Sequence, residues 1–143
     1  MNVAAILKAK GRSVVTARPE ARLEDVARKL TEKNIGSVVI VGSNGTISGI
    51  VSERDIIRAV AERGAACLSE PASQAMTRNV QFCEADDTLE ELMSTMTAGR
   101  FRHLPVIEDQ SLAGIVSIGD IVKHHIAEVE LEASALRSYI VAG

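Results

Sequence analysis

A chain of 143 residues with 46% hydrophobic residues and Lys+Arg 16 against Asp+Glu 19 reads as an ordinary globular protein, neither disordered nor fibrous. The net charge of -3 and the scarcity of aromatics (Tyr139, Phe82 and Phe101, with no Trp) exclude a basic, base-stacking nucleic-acid surface. No apolar run approaches the ~20 residues of a membrane span. Met1 to Gly11 is too short for a signal peptide, and Cys67 and Cys83 lack metal-ligand or redox spacing. Together these point to a reduced, cytoplasmic protein whose core is built from Val, Ile, Leu, Ala and Met.

Val3 to Lys10 reads as a short helix stopped by Gly11, and Ser13 to Thr16 as extended chain. Leu23, Val26, Ala27 and Leu30 then share one helical face, closed by Asn34-Ile35-Gly36. Val38-Val39-Ile40-Val41 is a continuous apolar run, the pattern of a strand buried on both sides. Asn44-Gly45 marks a tight hairpin rather than a glycosylation site. Ile47 to Ser52 returns as a strand, and Glu53 to Glu62 follows as a helix. Leu68 to Asn79 is a structured linker, with a helical turn expected around Gln74 to Met76.

The order then repeats. Leu89-Glu90-Glu91-Leu92 answers Leu23-Glu24-Asp25-Val26, and Phe101 to Ile107 answers Ile35 to Val41. Gly114 falls one residue early against Gly49, so the second copy is expected to have lost a residue in its hairpin loop. A unit of ~60 residues is marginal alone, so the two copies are expected to share one core. A last helix begins near Ile118 and heads towards Tyr139. Its apolar residues Ile121, Val122, Ile126, Val129, Leu136 and Ile140 do not form one clean stripe. A break near Glu130 or contact with a second chain would explain that.

The chemistry concentrates where strand meets helix. Gly49-Ile50-Val51-Ser52-Glu53-Arg54-Asp55 and Gly114-Ile115-Val116-Ser117-Ile118-Gly119-Asp120 both run from an apolar strand into a helix through Ser-x-x-Asp. Such a helix start offers unpaired N–H groups to an anion. Ser52 and Ser117 can donate to phosphate or ribose oxygens, and Asp55 and Asp120 can accept from a sugar diol. The same pattern also reads as a helix capping box; both roles can coexist. Arg54 can bind phosphate bidentately, whereas Gly119 stands in its place in the second copy. The two sites should therefore differ in charge.

The repeated order β-α-β-β-α with these two corners resembles the CBS domain (named for cystathionine β-synthase). The second copy's Arg102-His103-Leu104-Pro105-Val106 and the first copy's Asn34 to Val41 resemble it as closely as the corners do. The resemblance implies an α+β fold of two CBS motifs, residues 10–68 and 74–131, packed as a pseudo-two-fold pair. Residues 1–9 and 132–143 are expected as flanking helical segments. It further implies a stand-alone regulatory module, a homodimer that binds AMP, ATP or NAD(H) in clefts between the motifs and modulates an unidentified partner protein.

By the same resemblance, Arg102 and His103 face phosphates. Thr16, Ala17, Ile35 and Val38 in the first copy, and Phe82, Cys83, Phe101 and Leu104 in the second, line adenine slots. The alternative is a structural or interaction dimer with vestigial clefts. An enzyme is not expected, since there is no nucleophile elbow and Ser117, Asp120 and His124 on one helix cannot form a triad. A metal site at His124, His125 and Glu128 lacks a further ligand at characteristic spacing.

Overall fold

The computed structural model describes residues 1–142. In chain order the elements are α1 (Val3–Lys10), β1 (Thr16–Ala17), α2 (Leu23–Lys33), β2 (Ser37–Val41), β3 (Ile47–Ser52), α3 (Glu53–Arg63), α4 (Leu89–Gly99), β4 (His103–Glu108), β5 (Ser111–Ser117) and α5 (Ile118–Ala142). Short 3-10 turns at Ala65–Ser69 and Ala72–Gln74 precede α4. The helical turn expected around Gln74 to Met76 thus lies slightly earlier, and the one at Ala65–Ser69 was not anticipated. The chain divides into two compact units, one of Val14–Gln81 and the other of Met1–Ser13 with Phe82 onwards.

In the Val14–Gln81 unit, β2 is the central strand. It pairs in parallel with β1 (Thr16 opposite Val39) and antiparallel with β3 (Ser37 opposite Ser52). β2 is also buried on both faces, with Val38, Val39 and Ile40 fully buried, which explains its unbroken apolar run. α2 covers this sheet with Leu23, Val26 and Leu30, spaced as one helical stripe. It stops at Asn34, whose φ of 54° is the left-handed conformation that Asn tolerates at a helix end. The linker is built into this unit: Ala72 is buried, and Thr77 exchanges backbone hydrogen bonds with Ile50.

In the other unit, β4 and β5 form an antiparallel pair with His103 opposite Ser117 and Leu104 opposite Val116. Cys83 adds a single parallel bridge to Val106 where the first copy has a strand. α1 belongs here. Asn2 caps it by accepting from the Ala5 N–H, while the Val3 and Ala4 amides donate to the Asp87 and Ala85 carbonyls. Val3, Ile6 and Leu7 join Leu89, Leu92, Met96, Leu104, Val106, Val116 and Ile121 in one buried cluster. Each unit has an apolar cluster of its own.

The one-residue difference between the copies lies in the hairpin, as expected. Both hairpins share a bulge, after Ile40 and after Val106. Beyond it the first closes through Gly42–Thr46, with the Gly42 N–H donating to the Thr46 carbonyl, a wider loop than a two-residue turn. The second closes tightly at Asp109 and Gln110, both at positive φ (49° and 65°), the backbone of a type I′ turn. Finally, α5 runs unbroken from Ile118 to Ala142, so there is no break near Glu130.

Candidate functional site

Each Ser-x-x-Asp corner forms at the junction of a hairpin's second strand with its helix, and each is preceded by a glycine that a neighbour touches. A Cβ on Gly49 would lie 2.5 Å from the Thr77 carbonyl oxygen, and one on Gly114 would lie 2.6 Å from the Leu7 Cδ2 atom. Both motif glycines thus lie under a close neighbour: fixed backbone over the first strand, the movable end of an α1 side chain over the second.

At the first corner Ser52 is the N-cap of α3. Its Oγ accepts from the Asp55 N–H (3.3 Å), and its own N–H and Oγ donate to Asp55 Oδ2 at 2.8 and 3.0 Å. Asp55 Oδ1 accepts from Arg58 Nη1 (3.2 Å) and Thr77 Oγ1 (3.1 Å). Asp55 is 5% exposed, so a buried carboxylate receives four donors, close to its full acceptor capacity. The capping-box reading holds here in full.

At the second corner the Ser117 N–H donates to Asp120 Oδ2 (2.9 Å) and the Asp120 N–H donates to Ser117 Oγ (3.1 Å). Lys10 at the end of α1 completes it, donating from Nζ to Asp120 Oδ2 at 2.6 Å and to the Ile115 carbonyl at 3.0 Å. These contacts engage only Oδ2. Burial pushes the Asp120 carboxyl up, but the Lys10 hydrogen bond, the Ser117 backbone N–H and the Lys10 charge outweigh it. The group is held below the ordinary carboxylate value.

Both helix starts are partly spent. The first helical amide donates to the carbonyl of the residue just before the hairpin's first strand, Glu53 to Gly36 and Ile118 to Arg102. The third donates to the capping serine. What remains at each corner for an anion is the second amide, that of Arg54 or Gly119.

The other expected site residues divide by burial. Arg54 and Arg102 are exposed, His103 is half-buried at the head of β4, Thr16 is exposed on β1, and Ile35 and Phe101 are half-buried against their clusters. Phe82 is 48% exposed. Ala17, Val38, Cys83 and Leu104 are buried within their units' apolar clusters. Desolvation, helped by Asp87, pushes the Cys83 thiol up to about 12, so it is an inert core group.

Of the metal reading's residues, Glu128 is engaged by the Met1 amino group at 2.9 Å. Among the described residues, no group of His, Cys, Asp and Glu has the arrangement to hold a metal ion.

Sequence reasoning missed Lys10, Thr77 and Arg58. Arg58 lies three residues after Asp55 on the same helix and was open to inspection. Thr77 and Lys10 act across 22 and 110 residues, and nothing local announces them. Lys10 also alters the expected charge asymmetry, because the second corner has a cation of its own.

Comparison with known proteins agrees with this geometry. The CBS domain family model matches residues 10–62 and 72–126. The chain is 48% identical to the CBS-domain containing protein ATU1752 from Agrobacterium tumefaciens, whose crystal structure superposes with a TM-score of 0.83 over 85% of this chain and 91% of that one. It is 31% identical to the mitochondrial CBS domain-containing protein CBSX3 of Arabidopsis thaliana, over 96% of this chain and 71% of that protein. It also spans about a fifth of several longer curated relatives. The CBS domain pair of protein MJ0100, solved in complex with 5′-methylthioadenosine and S-adenosyl-L-methionine, is 26% identical with a TM-score of 0.79, covering 90% of this chain and 98% of that one.

Proposed function

The chain belongs to the CBS domain family, and from that premise we propose that it is a regulatory module that binds an adenosine-containing ligand (AMP, ATP or NAD(H)) at its strand-to-helix corners. The observation that carries the proposal is the second corner. Asp120 keeps Oδ1 outside its capping contacts, and Lys10 and the Gly119 amide add positive character beside it. A carboxylate oxygen for a ribose hydroxyl next to a cation and an amide for a phosphate is the donor–acceptor set of a nucleotide. The adenosine ligands of the MJ0100 pair, a protein of similar fold, support the same class.

At the first corner Arg54 offers the phosphate charge, but a ribose hydroxyl must displace one of Asp55's donors. Arg58, whose side chain is 60% exposed, is the one that yields most easily. The two corners thus differ in affinity. The module acts by binding rather than turnover, pairs with a second copy, and shifts a partner protein through its difference in affinity for two arrangements. Two free, buried cysteines suit a reducing compartment such as the cytoplasm. Among the described residues no helix is long and apolar enough to cross a membrane.

Calorimetric titration with AMP, ATP and NADH tests the proposal. Heat is expected from at least one of them, and Asp120→Ala should remove the tighter phase. Lys10→Ala should weaken AMP but not adenosine, because it removes a phosphate contact and frees Asp120 for the sugar. No heat from any of the three at millimolar ligand would sink the proposal. It would favour a structural dimer with vestigial sites, which the saturated carboxylate of Asp55 already suits.

A further inference from the structure

We propose that α5 is one strand of a parallel two-stranded coiled coil whose other strand is α5 of a second copy of this chain. The helix is unbroken from Ile118 to Ala142. Ile121 is buried in the unit's own cluster, and His125 and Glu128, four and seven residues on, lie half-buried on the same flank. That stripe is how α5 is held to its own unit. With Ile121 assigned to it, Val122, Ile126, Val129, Ala133, Leu136 and Ile140 fall into a second stripe, and the exposed Ile118, Leu131, Tyr139 and Val141 lie off it.

The steps along this stripe alternate between four and three residues, the a/d spacing of a coiled-coil seam rather than the wider face of a helix laid on a globular core. Its large members are exposed: Val122 50%, Ile126 52%, Val129 49%, Leu136 60% and Ile140 67%. A seam of this period is matched by another helix of the same period, and a second copy supplies one in register.

The flanking charges select the occupant and its direction. In this register Lys123, Glu130 and Arg137 hold the e positions and His125 and Glu132 hold g positions. Among the described residues, Glu130, Glu132 and Arg137 form no ion pair within the chain. In a parallel pair each g residue faces the e residue five further along the partner, which sets Glu132 against Arg137 on both sides of the seam. A fully overlapped antiparallel pair would instead oppose Glu130 to itself and Lys123 to Arg137. The arrangement deepens the pairing of copies proposed above, and it stands or falls without any nucleotide.

Light scattering on the purified full chain tests it. The wild type is expected at twice the mass of its 15.2 kDa chain. L136E/I140E, placed beyond the contacts of α5 with its own unit, is expected at the mass of one chain with an unchanged thermal unfolding signal from the two cores. R137E should weaken the dimer roughly 3- to 10-fold, two exposed ion pairs being lost, and E132R/R137E should restore it. A wild type of one, three or four chains, or a dimer that survives L136E/I140E, overturns the proposal. R137E that tightens the dimer overturns the parallel arrangement, since it would signal Lys123 opposite Arg137.

Discussion

The two strand-to-helix corners use the same four-residue wording and are held in different ways. At the first, Asp55 is buried and tied by residues of its own unit, with Thr77 of the linker as the distant partner. At the second, Asp120 is partly exposed and its distant partner is a single flexible lysine from the N-terminal helix. The difference teaches that a Ser-x-x-Asp corner has two separable duties, capping a helix and presenting a carboxylate. The first corner has committed its acid to structure, and the second keeps part of it in reserve.

The sharpest way to break this comparison is to delete each acid and measure stability by chemical denaturation. Asp55→Ala strands the Ser52 N–H and the Thr77 hydroxyl in a part-buried setting, and is expected to cost about 3 kcal/mol. Asp120→Ala loses the cap and a part-exposed ion pair, and is expected to cost about 1 kcal/mol. Equal losses would mean that both acids are structural to the same degree.

Next in size are the motif glycines. The Cβ of Gly49→Ala would strike backbone, the Thr77 carbonyl, which is itself fixed by its exchange of hydrogen bonds with Ile50. The Cβ of Gly114→Ala would strike the end of the Leu7 side chain, which can turn aside. Thermal or denaturant melts should show losses of about 2–3 kcal/mol for the first and about 1 kcal/mol for the second. A larger loss at Gly114 would place the rigid packing in the other copy.

The third test uses pH. The Asp120 carboxyl is held low when folded, chiefly because Lys10 and Ser117 outweigh the effect of burial. The unfolded chain then takes up the proton first as pH falls. The stabilisation is present above the unfolded value of about 3.9 and is lost as pH drops through the lower folded value. Stability curves between neutral and acid pH should therefore fall more steeply below pH ~4 for the wild type than for Lys10→Met. The two proteins should differ by roughly 0.5–1 kcal/mol at neutral pH. Parallel curves would show that the lysine does not hold the acid.

Much of this was legible in the sequence. The corners, the repeat, the central strand and the missing loop residue follow from short-range pattern, because caps, hairpins and buried strands are fixed by neighbours within a few residues. The partners of the two acids were not legible, because Thr77 and Lys10 arrive from other segments. Nor does an apolar residue near a motif declare whether it faces a ligand or the core. Ala17, Val38, Cys83 and Leu104 are buried in their units' apolar clusters, and the fold rather than the local pattern puts them there. The seam of α5 was hidden for a related reason: Ile121 belongs to a different stripe, and counting it with the others blurs a regular period.

The hairpins give the smallest and most local contrast. The first copy places Gly45 at a φ of 79° in its wider loop, where glycine costs no strain. The shorter loop of the second copy forces Asp109 and Gln110 to φ values of 49° and 65°. Asp tolerates the left-handed region through its short polar side chain, whereas Gln has no such compensation. Asp-Gly is the preferred pair for a type I′ turn, so Gln110→Gly should relieve strain by more than the added freedom of the unfolded chain costs. A gain of about 0.5 kcal/mol is expected. Gly45→Ala in the first copy should move stability the other way by a similar amount. Should Gln110→Gly destabilise the protein, the tight turn would be held by the strands around it rather than by its own backbone preference.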